Sequence, residues 1–299
     1  MRLLICTQAV DKNDPALGFF HRWIEEFAKY CESVSIVCLY KGVYELPGNV
    51  HVYSLGKEKG EKTRFAYSMR LFQYLWNLRG AYDAVFVHMN PEYVVLAGWW
   101  WRIAGVRIGL WYTHKNTRLL LRIAAFFSHV IFTASRESFR LQSEKVQVVG
   151  HGIDTDLFTP DAHVSRGEHF LSVGRLMKSK RHDLAIQAAL EKNREIRIVG
   201  EGPERSFLET YARDVGARAI FLGKLTQLEL RNEYRSAALL LHTSETGSLD
   251  KVVLEALACD CPVKTLDPAL KDFESKGSQY VRESHSLFRL IPRIVETLR

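Results

Sequence analysis

Residues 240–266, LLHTSETGSLDKVVLEALACDCPVKTL, hold the densest group of side chains able to do chemistry. The apolar run ahead of Thr243 reads as a buried strand. It meets a loop of small and polar residues, which opens a helix carrying Asp250, Lys251 and Glu255. A Gly/Ser/Thr-rich loop at a helix N-terminus holds anions through its backbone N–H groups. Gly247, Ser248 and Leu249 are the residues whose N–H groups can cradle ligand oxygens, with Gly247 allowing close approach. Asp154-Thr155-Asp156 is a second cluster, since two carboxylates at that spacing can hold Mn or Mg with a diphosphate. Its place directly ahead of Leu157-Phe158 argues for a chain segment entering a domain rather than a metal site. No Ser-His-Asp or Cys-His nucleophile system assembles from the sequence.

These residues must be positioned by alternating strands and helices. In the first half, strands are expected at 2–7, 34–39, 50–55, 84–88, 107–112, 130–133 and 146–149. Helices are expected at 19–31, 64–78, 91–103 and 118–127. In the second half, strands are expected at 170–173, 196–199, 219–222, 239–242, 263–265 and 279–281. Helices there are expected at 182–190, 203–215, 228–236, 251–259 and 286–298. β-Branched runs alternating with helices of about ten residues or more argue βαβ units and parallel sheets. The expected organisation is α/β, with two Rossmann-like doubly wound domains facing across a cleft, 1–160 and 161–299. The junction is expected in the polar stretch 158–168. Ligands of such sheets bind at the carboxyl ends of the strands, and clefts between domains favour ligand sites.

Composition fits this. The chain has 299 residues, 47% hydrophobic and 25% charged, which is enough to bury a core and excludes a disordered chain. Five cysteines without a CxxC give neither a disulfide framework nor a zinc pattern. They read as reduced thiols of a cytoplasmic protein. The net charge is +7, and five of those seven excess charges fall in residues 1–160. Residues 93–112, YVVLAGWWWRIAGVRIGLWY, are too short and too charged to span a bilayer. Trp99–Trp101 and the arginines between Arg64 and Arg79 suit instead a peripheral membrane contact, at the inner face of the membrane. No nucleic-acid partner is expected.

The motifs carry a resemblance to the retaining GT-B glycosyltransferases of family 4 (glycosyl transferases group 1). Gly-Ile-Asp-x-x-x-Phe of that family is matched by GIDTDLF at 152–158, and Gly-Arg-Leu by Gly174-Arg175-Leu176 with Lys180 following. The acid-containing turn is matched by Gly200-Glu201-Gly202-Pro203, and the next strand end by Phe221-Leu222-Gly223. Leu254-Glu255-Ala256 and Pro262-Val263 match the donor-sugar signature. The matches cover roughly residues 146–265 in the family's order. Two positions depart from it. Arg181 stands where Gly is usual, and Gly247 stands where the first Glu of the Glu-x7-Glu pair belongs.

The resemblance implies a nucleotide-sugar donor on the C-terminal domain and a saccharide or lipid-linked acceptor on the N-terminal one. It implies no cofactor and no metal. Arg175 and Lys180 are then expected to stabilise the charge that grows on the leaving diphosphate. Glu255 is expected to accept from the ribose hydroxyls, and Gly174 to line the donor. Gly18 and His114 are expected to approach the donor from the N-terminal domain. The acceptor carboxylate missing at Gly247 is expected to come from Asp250 rather than Glu245, and the position of Asp250 at a helix start equally suits a capping role. Two rival functions share these residues. One is a GT-B nucleotide-sugar epimerase, for which no pair of carboxylates suggests itself. The other is a degenerate domain that binds a sugar nucleotide or a partner subunit.

Overall fold

The computed structural model describes residues 1–14, 17–114, 119–136, 139–244 and 249–299. Its contacts form two compact units, Met1–Gly152 together with Leu287–Arg299, and Ile153–Ser286.

The first unit begins β1 (Arg2–Val10), α1 (Gly18–Tyr30), β2 (Ser33–Lys41), β3 (Val50–Ser54), α2 (Arg64–Asn77) and β4 (Ala84–His88). It continues α3 (Pro91–Ile103), β5 (Arg107–Trp111), α4 (Leu119–Phe127), β6 (Val130–Thr133) and β7 (Val146–Val148). The seven strands pair in parallel in the order β3-β2-β1-β4-β5-β6-β7. Parallel sheets are covered on both faces, so their central strands are apolar throughout rather than alternating. AVFVH of β4 is buried at all five positions. Right-handed crossovers fix which face each helix takes. The chain moves one way across the sheet through α1 and the other way through α2, α3 and α4. Accordingly one core contains Phe20, Trp23 and Phe27 of α1, and a separate core contains Leu71, Trp101 and Ala124 of the other three helices.

The second unit runs β8 (Phe170–Val173), α5 (His182–Glu191), β9 (Ile196–Val199), α6 (Arg205–Asp214) and β10 (Ala219–Gly223). It continues α7 (Gln227–Ser236), β11 (Leu239–His242), α8 (Lys251–Ala258), β12 (Val263–Thr265) and α9 (Ser278–Ser284). Its five strands are also parallel, in the order β10-β9-β8-β11-β12. The direction of winding reverses between β8 and β11, and that is where the strand ends open a crevice. The last helix, α10 (Leu287–Leu298), returns to the first unit. Leu287, Leu290, Ile291, Ile294, Val295 and Leu298 recur at helical spacing and complete the core that α1 begins.

The expected elements are present with ends shifted by a few residues, except at 279–281. That segment is helical, within α9, and not a strand. Val281 is its one fully buried side chain, while Tyr280 packs its ring 5.8 Å from Phe273 and 5.3 Å from His285. The contacts also divide the chain elsewhere than at 160/161. Phe158 lies in the core of the second unit, and Gly167 donates to the Ser236 carbonyl at 2.7 Å. The Arg166 guanidinium donates to the carbonyls of Tyr234, Arg235, Ala237 and Cys259. A polar stretch that read as a junction is thus an arginine clamp on the ends of α7 and α8. The chain enters the second unit at Ile153, whose N–H bonds to the His285 carbonyl at 2.8 Å, beside the residue where it leaves.

Three of the recognised motifs are joined by backbone contact. Gly174 N–H donates to Val199, Leu176 N–H to Glu201 and Gly200 N–H to Gly223, at 3.0, 3.0 and 2.8 Å. A methyl group on Gly200 would lie 1.9 Å from the Gly174 carbonyl oxygen, and one on Gly202 would lie 2.2 Å from that of Leu176. Only glycine fits, because the obstacle is backbone that cannot rotate away. Gly200→Ala is therefore expected to destabilise the protein by about 1–3 kcal/mol or more, read as a lower urea midpoint; an unchanged midpoint would show that the two turns are not held in contact.

Candidate functional site

The crevice of the second unit is lined from two sides. On one side a loop leaves β8 at Gly174, makes a single 3-10 turn at Lys178–Lys180 and enters α5. Its pivot, Arg181, has a left-handed backbone (φ 50°, ψ 43°), which explains why glycine is usual there in the family. A non-glycine residue in that region carries about 1–2 kcal/mol of strain. The Arg181 guanidinium meets the Asp183 carboxylate at 3.1 Å. On the other side stand Thr243 and Ser244, which follow β11, and Leu249 and Asp250, which lead into α8. The two sides are tied together by the Thr243 hydroxyl, which donates to the Lys180 carbonyl at 2.8 Å.

Lys180 and Asp250 meet directly. The Lys180 ammonium forms an ion pair with Asp250 Oδ2, and His242 Nε2 lies 3.0 Å from the same oxygen. His242 Nδ1 lies 3.0 Å from Thr265 Oγ1, which in turn accepts from the Asp267 N–H at 3.1 Å. A neutral imidazole has one donor and one acceptor. Nε2–H facing the carboxylate therefore requires Nδ1 to accept from Thr265. A hydrogen-bonded chain thus runs from β12 through His242 to Asp250 and ends on Lys180. Burial raises the Asp250 carboxyl, but the His242 hydrogen bond and the Lys180 charge outweigh it and hold the group below its usual range. Asp250 occupies the N-cap position of α8 with an extended backbone, yet its side chain makes no capping hydrogen bond. Of the two roles expected for it, the local one is not taken up: the carboxylate serves Lys180 and His242 instead.

Arg175 lies on the same loop as Lys180, exposed, and makes no ion pair among the described residues. Gly174 follows β8, and a methyl group there would lie 3.8 Å from the Lys180 side chain. Leu249 buries its side chain in the core of the second unit. Gly247 and Ser248, and with them the position of the missing Glu and Glu245, lie outside the described residues. Glu255 is buried on α8, where its Oε2 accepts from the Tyr234 hydroxyl at 3.3 Å. Burial pushes the Glu255 carboxyl up, while Lys251 one turn earlier and the Tyr234 hydroxyl pull the other way. Burial lowers Lys251, opposed by Glu255 and by Asp154. The Asp154 carboxylate also accepts from the N–H groups of Asp156 and Leu157, both at 3.1 Å. It is thus engaged in the entry turn.

Gly18 and His114 belong to the first unit. Gly18 opens α1, and its N–H donates to the Asp14 carbonyl at 2.8 Å. His114 is exposed past the end of β5, its ring 6.0 Å from that of Tyr112. Residues 240–242 read simply as a buried strand, and His242 was not singled out. Its signal is a polar ring closing an apolar run at the carboxyl end of a central strand. His182 was missed too. It is buried with Nδ1 2.8 Å from Ser172 Oγ, and burial drives its pKa down to about 4.

Two parallel doubly wound sheets, the second carrying a basic and acidic pair at its winding reversal, define an α/β protein with a charged crevice at that reversal. Comparison with known proteins narrows the class. Residues 156–269 match the family model for glycosyl transferases group 1. A D-inositol 3-phosphate glycosyltransferase of Frankia alni is 32% identical over 174 residues, which are 50% of this chain and 41% of that protein. The enzyme of the same name from Mycobacteroides abscessus is 33% identical over 137 residues, 40% of this chain and 31% of its own. The chain thus spans about two fifths or less of the length of these relatives. Among solved structures, Anabaena HepE in complex with UDP has the same fold, with a TM-score of 0.76 at 16% identity over 100% of this chain and 99% of that one. Residues 156–269 thus carry the glycosyl transferases group 1 segment, and the fold is GT-B.

Two outcomes follow from the geometry. Asp250→Asn is expected to free Lys180 and tighten the binding of inorganic pyrophosphate by roughly twofold to fivefold, the scale of a part-exposed ion pair; calorimetry showing unchanged affinity would mean that Asp250 does not restrain the lysine. His182 is neutral in the folded protein and is protonated near its ordinary value of about 6.5 when unfolded. Its contribution is therefore fully present above about pH 6.5 and is lost as pH falls toward about 4. Urea midpoints of the second unit's transition should decline across that window, and His182→Asn should flatten the decline.

Proposed function

We propose that the protein transfers a sugar from a nucleoside-diphosphate donor to a hydroxyl acceptor, with retention of anomeric configuration, and that the β8/β11 crevice holds the donor's diphosphate. The observation that carries this reading is the Lys180–Asp250–His242 cluster, placed at a winding reversal inside the segment that matches the family. As the anomeric C–O bond breaks, its electron pair passes to the diphosphate, whose negative charge grows. Lys180 and Arg175 offset that charge. A diphosphate oxygen takes the place of Asp250 on Lys180, and Asp250 stays hydrogen-bonded to His242. A leaving-phosphate oxygen accepts the proton of the attacking hydroxyl, so no protein nucleophile is required. Glu255, on α8 close to Lys251 and Tyr234, accepts from the ribose hydroxyls. The two relatives named for D-inositol 3-phosphate suggest a polyhydroxylated, phosphate-bearing acceptor as the first to try.

A second reading has a specific observation behind it. A lysine already neutralised within the protein is also what a domain that only binds sugar nucleotides would contain. Incubating the purified chain with a panel of nucleoside-diphosphate sugars separates the two. Transfer or slow hydrolysis of one donor supports the enzyme, tight binding without turnover supports the binding domain, and interconversion of sugars supports an epimerase. For the enzyme, Lys180→Ala and Arg175→Ala are each expected to lower transfer by about a hundredfold or more, the scale of a lost charge-stabilising contact, with little change in melting temperature. Folded variants of both that keep full activity would exclude these two residues from the reaction.

A further inference from the structure

From the surface of the first unit we infer that its α2–α3–α4 face rests on an anionic lipid bilayer. The three helices cover one side of the sheet and share one core. They pack into a continuous layer. The Trp76 ring of α2 lies 6.0 Å from Trp100 of α3, and Gly98 of α3 fits against Phe127 of α4, where a methyl group would come within 2.7 Å. The outward side of this layer is apolar to an unusual degree. Among the described residues, nine of the twenty large hydrophobic side chains left exposed belong to these three helices. Ile103 is 81% exposed, Phe65 77% and Phe126 73%, and Trp76, Trp99 and Ile123 accompany them. Contiguous apolar surface rimmed by polar groups marks an interaction site. The outward side of α1, by contrast, carries the half-buried Arg22 and Glu25 and the exposed Lys29, with Tyr30 its one exposed large hydrophobic side chain.

Charge selects the occupant. The three helices hold four arginines, Arg64, Arg70, Arg102 and Arg122, and one acid, Glu92. Arg70 turns inward to the Leu55 carbonyl, while Arg64, Arg102 and Arg122 are exposed. Arg79, just past α2, places its guanidinium 4.4 Å from the Trp76 ring centroid. Tryptophan and arginine together on one apolar face suit the interface between headgroups and acyl chains, with anionic lipid meeting the cations. A second copy docked through the same face about a two-fold axis would set arginine against arginine with almost no acid to answer it. Among the described residues no helix is long and apolar enough to cross a membrane, so the contact lies in the plane of the surface. The sequence pointed to Trp99–Trp101, but Trp101 is fully buried and the surface is made by three helices rather than one. This inference does not depend on the catalytic reading.

The test is flotation of the full chain with vesicles of phosphatidylcholine containing about one third phosphatidylglycerol, against pure phosphatidylcholine. The protein is expected to float with the anionic vesicles, less so at high salt. Ile103→Ser with Phe126→Ser should weaken binding by roughly tenfold or more. Arg102→Glu with Arg122→Glu should weaken it by a similar factor on anionic vesicles and little on neutral ones. All four side chains are exposed, so the melting curves should match the wild type. Three results would overturn the proposal: no flotation, flotation unaffected by either double variant, or a dimer in sedimentation that the serine variant breaks while vesicles are ignored.

Discussion

The contact between the Gly174 carbonyl and the Gly200 backbone is the constraint on which the second unit's site depends. Neither partner has a side chain that could move aside. Because Gly200 N–H also bonds to Gly223, three consecutive strand ends are held level at one edge of the sheet. With those ends fixed, the loop after β8 has few paths to α5, and it takes one that bends at Arg181 in a left-handed conformation. That path brings the Lys180 ammonium onto Asp250 at the start of α8. Gly174 and Gly200 make room for each other, and the cation reaches the crevice as a consequence.

Lys180 does not wait as a bare charge. Its neighbour Asp250 is fixed from behind by His242, and His242 by Thr265. A part-buried lysine with no counter-ion would be costly, and an anion that could swing away would leave it so. The chain from β12 gives the carboxylate a second partner, so it can release the lysine without becoming unpaired itself. Under the proposed function, recognition of an anion is an exchange of partners at Lys180 rather than the burial of new charge. On this view Asp250 sets how strongly the crevice discriminates a diphosphate from weaker anions.

Much of this was legible in the sequence because apolar runs of parallel strands are unmistakable: AVFVH and FLSV announce themselves without tertiary information. Other features depended on distant partners. Residues 279–281 have strand-forming side chains, but packing against Phe273 and His285 overrides that local preference. Arg166 read as part of a polar junction, since nothing nearby in the chain reveals that its guanidinium closes the ends of two helices. Asp250 was recognised as a helix start, and its neighbours in sequence suggested a cap. The competing partners, Lys180 and His242, come from another loop and from the preceding strand. A side chain's choice between a backbone N–H and a lysine is decided by the fold, not by the residues beside it.

The return of α10 to the first unit has a consequence for how the protein is made. The core of which Phe20, Trp23 and Phe27 form one wall is closed by Leu287, Ile291 and Val295. Between those two groups the ribosome must synthesise the whole of the second unit, residues 153–286. At roughly 5–20 residues per second this takes on the order of ten seconds. Throughout that interval the nascent first unit has its sheet and its other helices but presents an open apolar trough. The second unit, whose first and last residues pair side by side, can fold meanwhile as a complete insertion. Newborn chains are therefore most exposed to aggregation, and to capture by chaperones, along the α1 side of the sheet until α10 emerges and seals it.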